Sequence, residues 1–120
     1  MENESCSCEN IDNHIVVTCS GAADLGFIAD QVARKMALEK VCKMSCLALF
    51  ATCSDEQIES FKTKNLKVID GCNEDCAKKV MANRGIENYK YIRLTDLGYV
   101  KGKTLTSCMV VNEIYARIVN

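Results

Sequence analysis

The stretch that decides the fold is Val68-Ile69-Asp70-Gly71-Cys72-Asn73-Glu74-Asp75-Cys76. Its apolar start predicts a buried strand that ends in a turn at Gly71. A helix is expected to follow with Asn73 as its N-cap, because two acidic residues come next, in what would be a first turn that favours negative charge. Cys72 and Cys76 then lie on either side of a strand-to-helix turn, where backbone N–H groups stabilise thiolates.

The composition is that of a single globular domain. Of the 120 residues, 48% are hydrophobic, which suffices for an ordinary core. The 15 basic and 16 acidic residues are spread along the chain, so no basic surface for nucleic acid or an anionic membrane is expected. Met1–Ser5 is acidic and polar, unlike a secretory signal, and the longest apolar run, Cys46–Ala51, is too short to span a membrane. We therefore expect a cytoplasmic protein with neither nucleic acid nor membrane as a partner.

The other strands and helices follow from apolar patterning. The β-branched run 14–19 predicts a first strand buried on both faces, and apolar residues at helical spacing predict a helix over about residues 24–40. A second strand is expected within Cys42–Phe50. Ser54 and Gln57 form a capping box, which predicts a short helix after that strand.

The second half of the chain continues this alternation. Leu66–Asp70 is the third predicted strand, and the helix after it is expected to end at Gly85, which suits the left-handed position beyond a helix. A fourth strand is predicted through Tyr89–Leu94, and a final helix from about Thr104. Strands that alternate with helices without hairpin signals predict a three-layer α/β/α fold with a parallel four-stranded sheet in the order 2-1-3-4.

The nine cysteines are many for a cytosolic protein, where thiols are kept reduced, so metal binding or redox chemistry is the leading interpretation. With only one histidine in the chain, a metal site would be built mainly from sulfur, and we expect zinc rather than Cu(I) or an iron–sulfur cluster. Residues 1–13 are expected to be a flexible arm that carries Cys6 and Cys8, whose role the sequence does not define. Residues 14–120 are expected to form a single cysteine-rich, metal-binding α/β domain.

Four cysteines are predicted to meet at one edge of the sheet. Cys19, Cys46 and Cys72 are separated by 27 and 26 residues, which is about one strand and one helix each time. They should therefore stand at the carboxyl ends of three neighbouring strands, and Cys76 should join them from the following helix. Because adjacent strands are about 4.8 Å apart, side chains that lean inward approach the sulfur spacing of a tetrahedral zinc site. The four thiolates are the predicted ligands of one zinc ion.

Other side chains have secondary roles in this interpretation. Asp70 is expected to accept hydrogen bonds from backbone amides near the turn. These hydrogen bonds would either help to orient the metal-binding cysteines or only stabilise the turn. Cys53 is an additional thiol, and the sequence does not decide whether it belongs to the site. Cys42 and Cys108 are expected to be packed as small apolar residues, and His14 to be a solvated strand residue rather than a ligand.

Several segments together resemble the DGC-domain family, which is named after its Asp-Gly-Cys tripeptide. These segments are Cys19-Ser20-Gly21-Ala22, Met44-x-Cys46-Leu47-Ala48, Ile69-Asp70-Gly71-Cys72 with Cys76-Ala77-Lys78-Lys79, and Leu97-Gly98-Tyr99-Val100-Lys101. The resemblance spans about residues 14–103, and it implies zinc binding through four cysteines, which fall on the four chosen above by spacing. The chain departs from the family in its Cys6-x-Cys8 arm and in Phe50-Ala51-Thr52-Cys53, where glycine is more usual. The resemblance implies a site but no reaction.

A thiol enzyme is the alternative hypothesis. In that interpretation Cys72 or Cys19, activated by a helix N-terminus, is the nucleophile of a redox or sulfur-transfer reaction, and Cys76 resolves the intermediate. A protein that joins a larger complex through an exposed strand or helix face is a third hypothesis. For the zinc hypothesis, a closed set of four cysteines favours a structural ion, whereas a place in the ligand crevice of an α/β fold favours an exchangeable one.

Overall fold

The computed structural model describes residues 13–19 and 21–119. The predicted N-terminal arm, apart from Asn13, lies outside the described residues, and so do its two cysteines, Cys6 and Cys8.

A four-stranded parallel sheet forms the centre of the structure. Strand β1 is His14–Thr18, β2 is Lys43–Met44, β3 is Asn65–Asp70 and β4 is Lys90–Arg93. The spatial order is β2-β1-β3-β4 and every pairing is parallel, which confirms the predicted topology. The order reverses between β1 and β3, where sheets of this kind open a crevice beyond the carboxyl ends of their strands.

The described residues contain five α-helices, one more than predicted, and a short 3-10 helix over Leu94–Leu97. Within this part of the chain, no helix combines the length and the apolar character that a membrane span requires. The predicted capping box is present, since Gln57 N–H donates to Ser54 Oγ over 3.2 Å and Ser54 N–H donates to Gln57 Oε1 over 3.3 Å. The helices are α1 (Asp24–Leu38), α2 (Leu47–Thr52), α3 (Asp55–Lys62), α4 (Cys76–Asn83) and α5 (Cys108–Val119).

Helices cover both faces of the sheet. One apolar cluster joins α1 and α5 to one face and includes the fully buried residues Val16 and Ile114. The other joins α2, α3 and α4 to the opposite face and includes Val17, Phe50 and Met81. Val16 and Val17 belong to different clusters because successive side chains of a strand point to opposite faces. The three-layer α/β/α arrangement is therefore confirmed.

The second strand falls within its predicted range but occupies only two residues of it. The apolar run after Cys46 folds as α2 instead. That run consists of Leu, Ala and Phe without a β-branched residue until Thr52, so its helix propensity is high. Leu47 and Phe50, three residues apart, pack against the same apolar cluster, which is the spacing of a helix face.

The last helix begins at Cys108, four residues beyond the predicted start at about Thr104. The Asp24 carboxylate accepts hydrogen bonds from the N–H groups of Gly102 (2.8 Å) and Thr104 (3.1 Å), which holds this segment as a loop. Cys108 is exposed at the helix start, so the prediction that it is packed is wrong. Cys42, which is 4% exposed, is packed as predicted.

Candidate metal centre

The four cysteines chosen by spacing all lie at the carboxyl-end edge of the sheet. Cys19 directly follows β1, Cys46 follows β2 by two residues, and Cys72 follows β3 by two residues. Cys76 is the first residue of α4. The regular spacing of the cysteines along the chain places them at one edge of the sheet, because all strands of a parallel sheet end on the same side.

Cys19 is partly buried at the end of β1. The backbone N–H groups of Gly71 and Gly21 donate hydrogen bonds to it, and its own N–H donates to the Ile69 carbonyl oxygen over 3.2 Å. Burial raises the pKa of the Cys19 thiol, the two amides act against this, and the charges of Asp70 and Cys76 raise it further.

The other three thiols differ in exposure. Cys46 is exposed and shares with Cys19 an open cleft of about 1080 Å³ between α1 and α2. Cys76 is also exposed. Cys72 is partly buried against the cluster of α1 and α5, and it lines a separate cavity of about 410 Å³ with Thr95.

A closed coordination shell is not formed. Within residues 13–19 and 21–119, no group of three or more His, Cys, Asp or Glu side chains is arranged to hold a metal ion. The donor chemistry nevertheless fits zinc, because four soft thiols of the type that zinc prefers share one edge. Cys46 and Cys76, the two exposed thiols, are those whose side chains have room to move toward Cys19.

Asp70 caps helix α4 from the end of β3. Its carboxylate is 1% exposed and accepts hydrogen bonds from Ala77 N–H (2.9 Å) and Lys78 N–H (3.1 Å), which are the second and third residues of the helix. The predicted N-cap, Asn73, is wrong, since the helix starts at Cys76 and Asp75 precedes it in the left-handed conformation with φ 54°. The buried Asp70 carboxylate, six residues before the helix start, caps the helix instead and thereby fixes the position of Cys76.

Two residues of β4 complete the support for this turn, and sequence reasoning missed both. The Tyr91 hydroxyl lies 2.8 Å from Asp70 Oδ2, and Arg93 binds Asp75 with two hydrogen bonds of 2.9 and 2.8 Å. Burial and the hydrogen bond to Asp70 raise the pKa of Tyr91. The sequence does predict that residues 91 and 93 lie on one face of β4, because side chains alternate along a strand. No local pattern identifies Asp70 and Asp75 as their partners.

Asp24 anchors the loop that helps to line the cavity at Cys72. In addition to the amides of Gly102 and Thr104, the Leu25 N–H donates to its carboxylate over 2.8 Å. The Gly102 hydrogen bond is the largest cause that holds the pKa of Asp24 below its usual range. The anchored loop contributes Tyr99 to the cavity at Cys72.

Cys53 lies away from this arrangement. It follows α2 and packs against the apolar cluster on the opposite face from Cys19 and Cys72. Its carbonyl oxygen accepts a hydrogen bond of 2.7 Å from Arg84, which ties the end of α2 to the end of α4. The position is explained by packing, so Cys53 is not included in the proposal below.

Fold and site together define a three-layer α/β protein whose sheet bears cysteines along its carboxyl-end edge. The DGC domain family matches residues 15–118, and the chain belongs to this family. The comparisons with curated proteins and with solved structures each found no match.

Proposed function

We propose that the protein binds one zinc ion through the thiolates of Cys19, Cys46, Cys72 and Cys76. The observation that carries the proposal is the placement of all four at the same edge of the sheet, at the ends of three adjacent strands and the start of α4. Neighbouring strands are about 4.8 Å apart, and zinc with sulfur ligands at about 2.3 Å requires sulfur pairs slightly less than 4 Å apart. Formation of the site would require rotation of the exposed Cys46 and Cys76 side chains toward Cys19 and Cys72.

The ligand set divides into fixed and adjustable members. Cys19 is held by two backbone amides and Cys72 by apolar packing, whereas Cys46 and Cys76 are exposed. In the absence of metal, the raised pKa of Cys19 favours its protonated thiol, so zinc binding would displace a proton from it. The seven described cysteines are free, and we infer a reducing compartment such as the cytoplasm, where they would stay available.

Zinc would join elements that already pack together. None of the four cysteines is a buried member of either apolar cluster, although Cys19 and Cys72 pack against one of them. The fold should therefore largely exist before the metal binds. Bound zinc would then hold the ends of β1, β2 and β3 and the start of α4 at fixed spacing. The open cleft beside Cys19 and Cys46 would leave one side of the ion accessible, which favours exchange over a purely structural role.

Metal analysis of protein purified anaerobically tests this proposal. We expect about one equivalent of zinc per chain, and a loss of most of it when Cys72 and Cys76 are both replaced by serine. The matched control is Cys108→Ser, which also removes an exposed thiol at a helix start but should leave the zinc content unchanged. Less than about half an equivalent in the unmodified chain, with no change in the Cys72→Ser/Cys76→Ser variant, would refute zinc binding at this edge.

A thiol enzyme is the second candidate, and the position of Cys76 favours it. This thiol is exposed and lies at the first residue of α4, so a reagent or a substrate in solution can reach it. The raised pKa of Cys19 counts against Cys19 as the nucleophile. If this candidate is correct, Cys76 of metal-free protein will alkylate far faster than the exposed Cys46 at neutral pH.

A further inference from the structure

A second cluster of charged side chains lies at the opposite edge of the sheet, where the strands begin. It lines a cleft of about 450 Å³, a size typical of small-molecule sites. Among the described residues that line this cleft there is no Asp or Glu. Its basic members are His14, Lys64, Lys67 and Lys90.

Two of these lysines are direct neighbours across adjacent strands. Lys67 of β3 and Lys90 of β4 are register partners, which places their Cα atoms about 4.8 Å apart with both side chains on one face. Like charges in this arrangement are destabilising. Among the described residues, neither the ion pairs nor the side-chain hydrogen bonds include Lys64, Lys67 or Lys90, so no described carboxylate is paired with these lysines.

Lys67 extends into the cleft rather than freely into solvent. Lys67 is half-buried. Burial raises the pKa of the Cys42 thiol, and the nearby positive charge of Lys67 acts in the opposite direction. Cys42 is 4% exposed and lines the same cleft. Val41, Leu66 and Tyr89 supply apolar and aromatic wall around the charged groups. The cleft therefore combines several N–H donors with a surface for a small organic group.

We propose that this cleft binds a small anion with at least two negative charges, of the phosphate or phosphate-ester class. Such a ligand accepts hydrogen bonds from several ammonium groups at once, and it removes the repulsion between Lys67 and Lys90. A long nucleic acid is disfavoured because this cleft holds only four basic side chains and the other basic residues are spread along a chain of net charge −1. This site is independent of the zinc proposal, since it lies at the other end of the strands.

NMR titration of the full chain with inorganic phosphate and with phenyl phosphate, against chloride of equal ionic strength, tests the proposal. We expect backbone amide shifts confined to His14 and to residues 41–42, 64–67 and 88–90. Lys67→Gln/Lys90→Gln should weaken the affinity by about tenfold or more. The control, Lys101→Gln/Lys103→Gln, removes the same charge from the loop near Cys72 and should leave the affinity unchanged. Tighter binding of phenyl phosphate would identify esters as the ligands, and equal binding would identify the free anion.

Thermal unfolding separates a binding role from a structural one. In phosphate-free buffer of low ionic strength, Lys67→Gln should melt at the same temperature as the unmodified chain or higher, because a repulsion is removed. The stabilisation that phosphate gives to the unmodified chain should decrease in this variant and in Lys90→Gln, whose side chain is exposed and tolerant of change. Absence of localised shifts, or equal affinities in the two double variants, would overturn the proposal, as would a lower melting temperature of both single variants without phosphate.

Discussion

Replacement of Asp70 by asparagine is expected to lower the free energy of unfolding by about 3 kcal/mol. The buried carboxylate accepts hydrogen bonds from two amides of α4 and lies 2.8 Å from the Tyr91 hydroxyl. A carboxamide has one oxygen and an NH2 group, so at least one of the two backbone amides would face another donor without a partner. The start of α4 should fray, and the zinc affinity should fall with it because Cys76 is its first residue.

Urea unfolding measures the first effect, and Asp96→Asn is the matched control. Asp96 also carries a carboxylate, but it is 61% exposed and contacts Arg93 at 3.4 Å. Its replacement should change stability by less than about 0.5 kcal/mol. Tyr91→Phe removes only the hydroxyl that contacts Asp70 and Asp75 and should cost about 1 kcal/mol. An Asp70→Asn variant as stable as Asp96→Asn would show that the cap of α4 does not depend on this carboxylate.

Replacement of Gly71 by alanine is expected to cost about 2–3 kcal/mol, for a steric reason. A Cβ atom at this position would lie 2.8 Å from the Leu25 carbonyl carbon and 2.9 Å from the Gly26 nitrogen. Both are backbone atoms of α1, so neither can rotate away. The turn after β3 would have to move from α1, and the Gly71 N–H would move away from the Cys19 thiol to which it donates. Zinc affinity should therefore fall together with stability.

Gly21→Ala is the control for this substitution. Gly21 also donates its N–H to Cys19, but a Cβ there has no neighbour within 4 Å. We expect a change in unfolding free energy of less than about 1 kcal/mol and little change in zinc binding. Gly26→Ala should behave like Gly71→Ala, because its Cβ would lie 2.7 Å from the Gly21 nitrogen. If Gly71→Ala and Gly21→Ala are equally stable, the close approach of the β3 turn to α1 does not limit the structure.

The sheet could be predicted because its strands carry a strong local signal. β1 contains a run of β-branched residues and β3 carries Leu66, Val68 and Ile69, and connections without hairpin turns restrict such strands to a parallel order. The common edge of the cysteines followed from the same logic, since the spacing between Cys19, Cys46 and Cys72 matches one strand and helix. Prediction of β2 was less complete because an Ala- and Leu-containing run has no decisive period over six residues.

The supporting contacts of the site could not be predicted, because they join residues far apart in the chain. Asp24 contacts Gly102 across 78 positions, and Arg93 contacts Asp75 across 18. Such pairs depend on how the strands and helices pack, and neither member has a distinctive neighbourhood in the sequence. The displaced start of α4 has the same origin, since a remote carboxylate at Asp70 replaces the local cap that Asn73 would provide. The described thiols also differ in burial, which spacing alone does not encode.

Alkylation of the thiols with and without zinc, mapped by mass spectrometry, tests the central claim most directly. Cys46, Cys76 and Cys108 are exposed, so all three should react readily in metal-free protein. With one equivalent of zinc, we expect the rates at Cys46 and Cys76 to fall by about tenfold or more, because coordinated thiolates are poorly available to the reagent, while Cys108 keeps its rate. Unchanged rates at Cys46 and Cys76, or equal protection of Cys108, would contradict coordination of zinc at the carboxyl-end edge of the sheet.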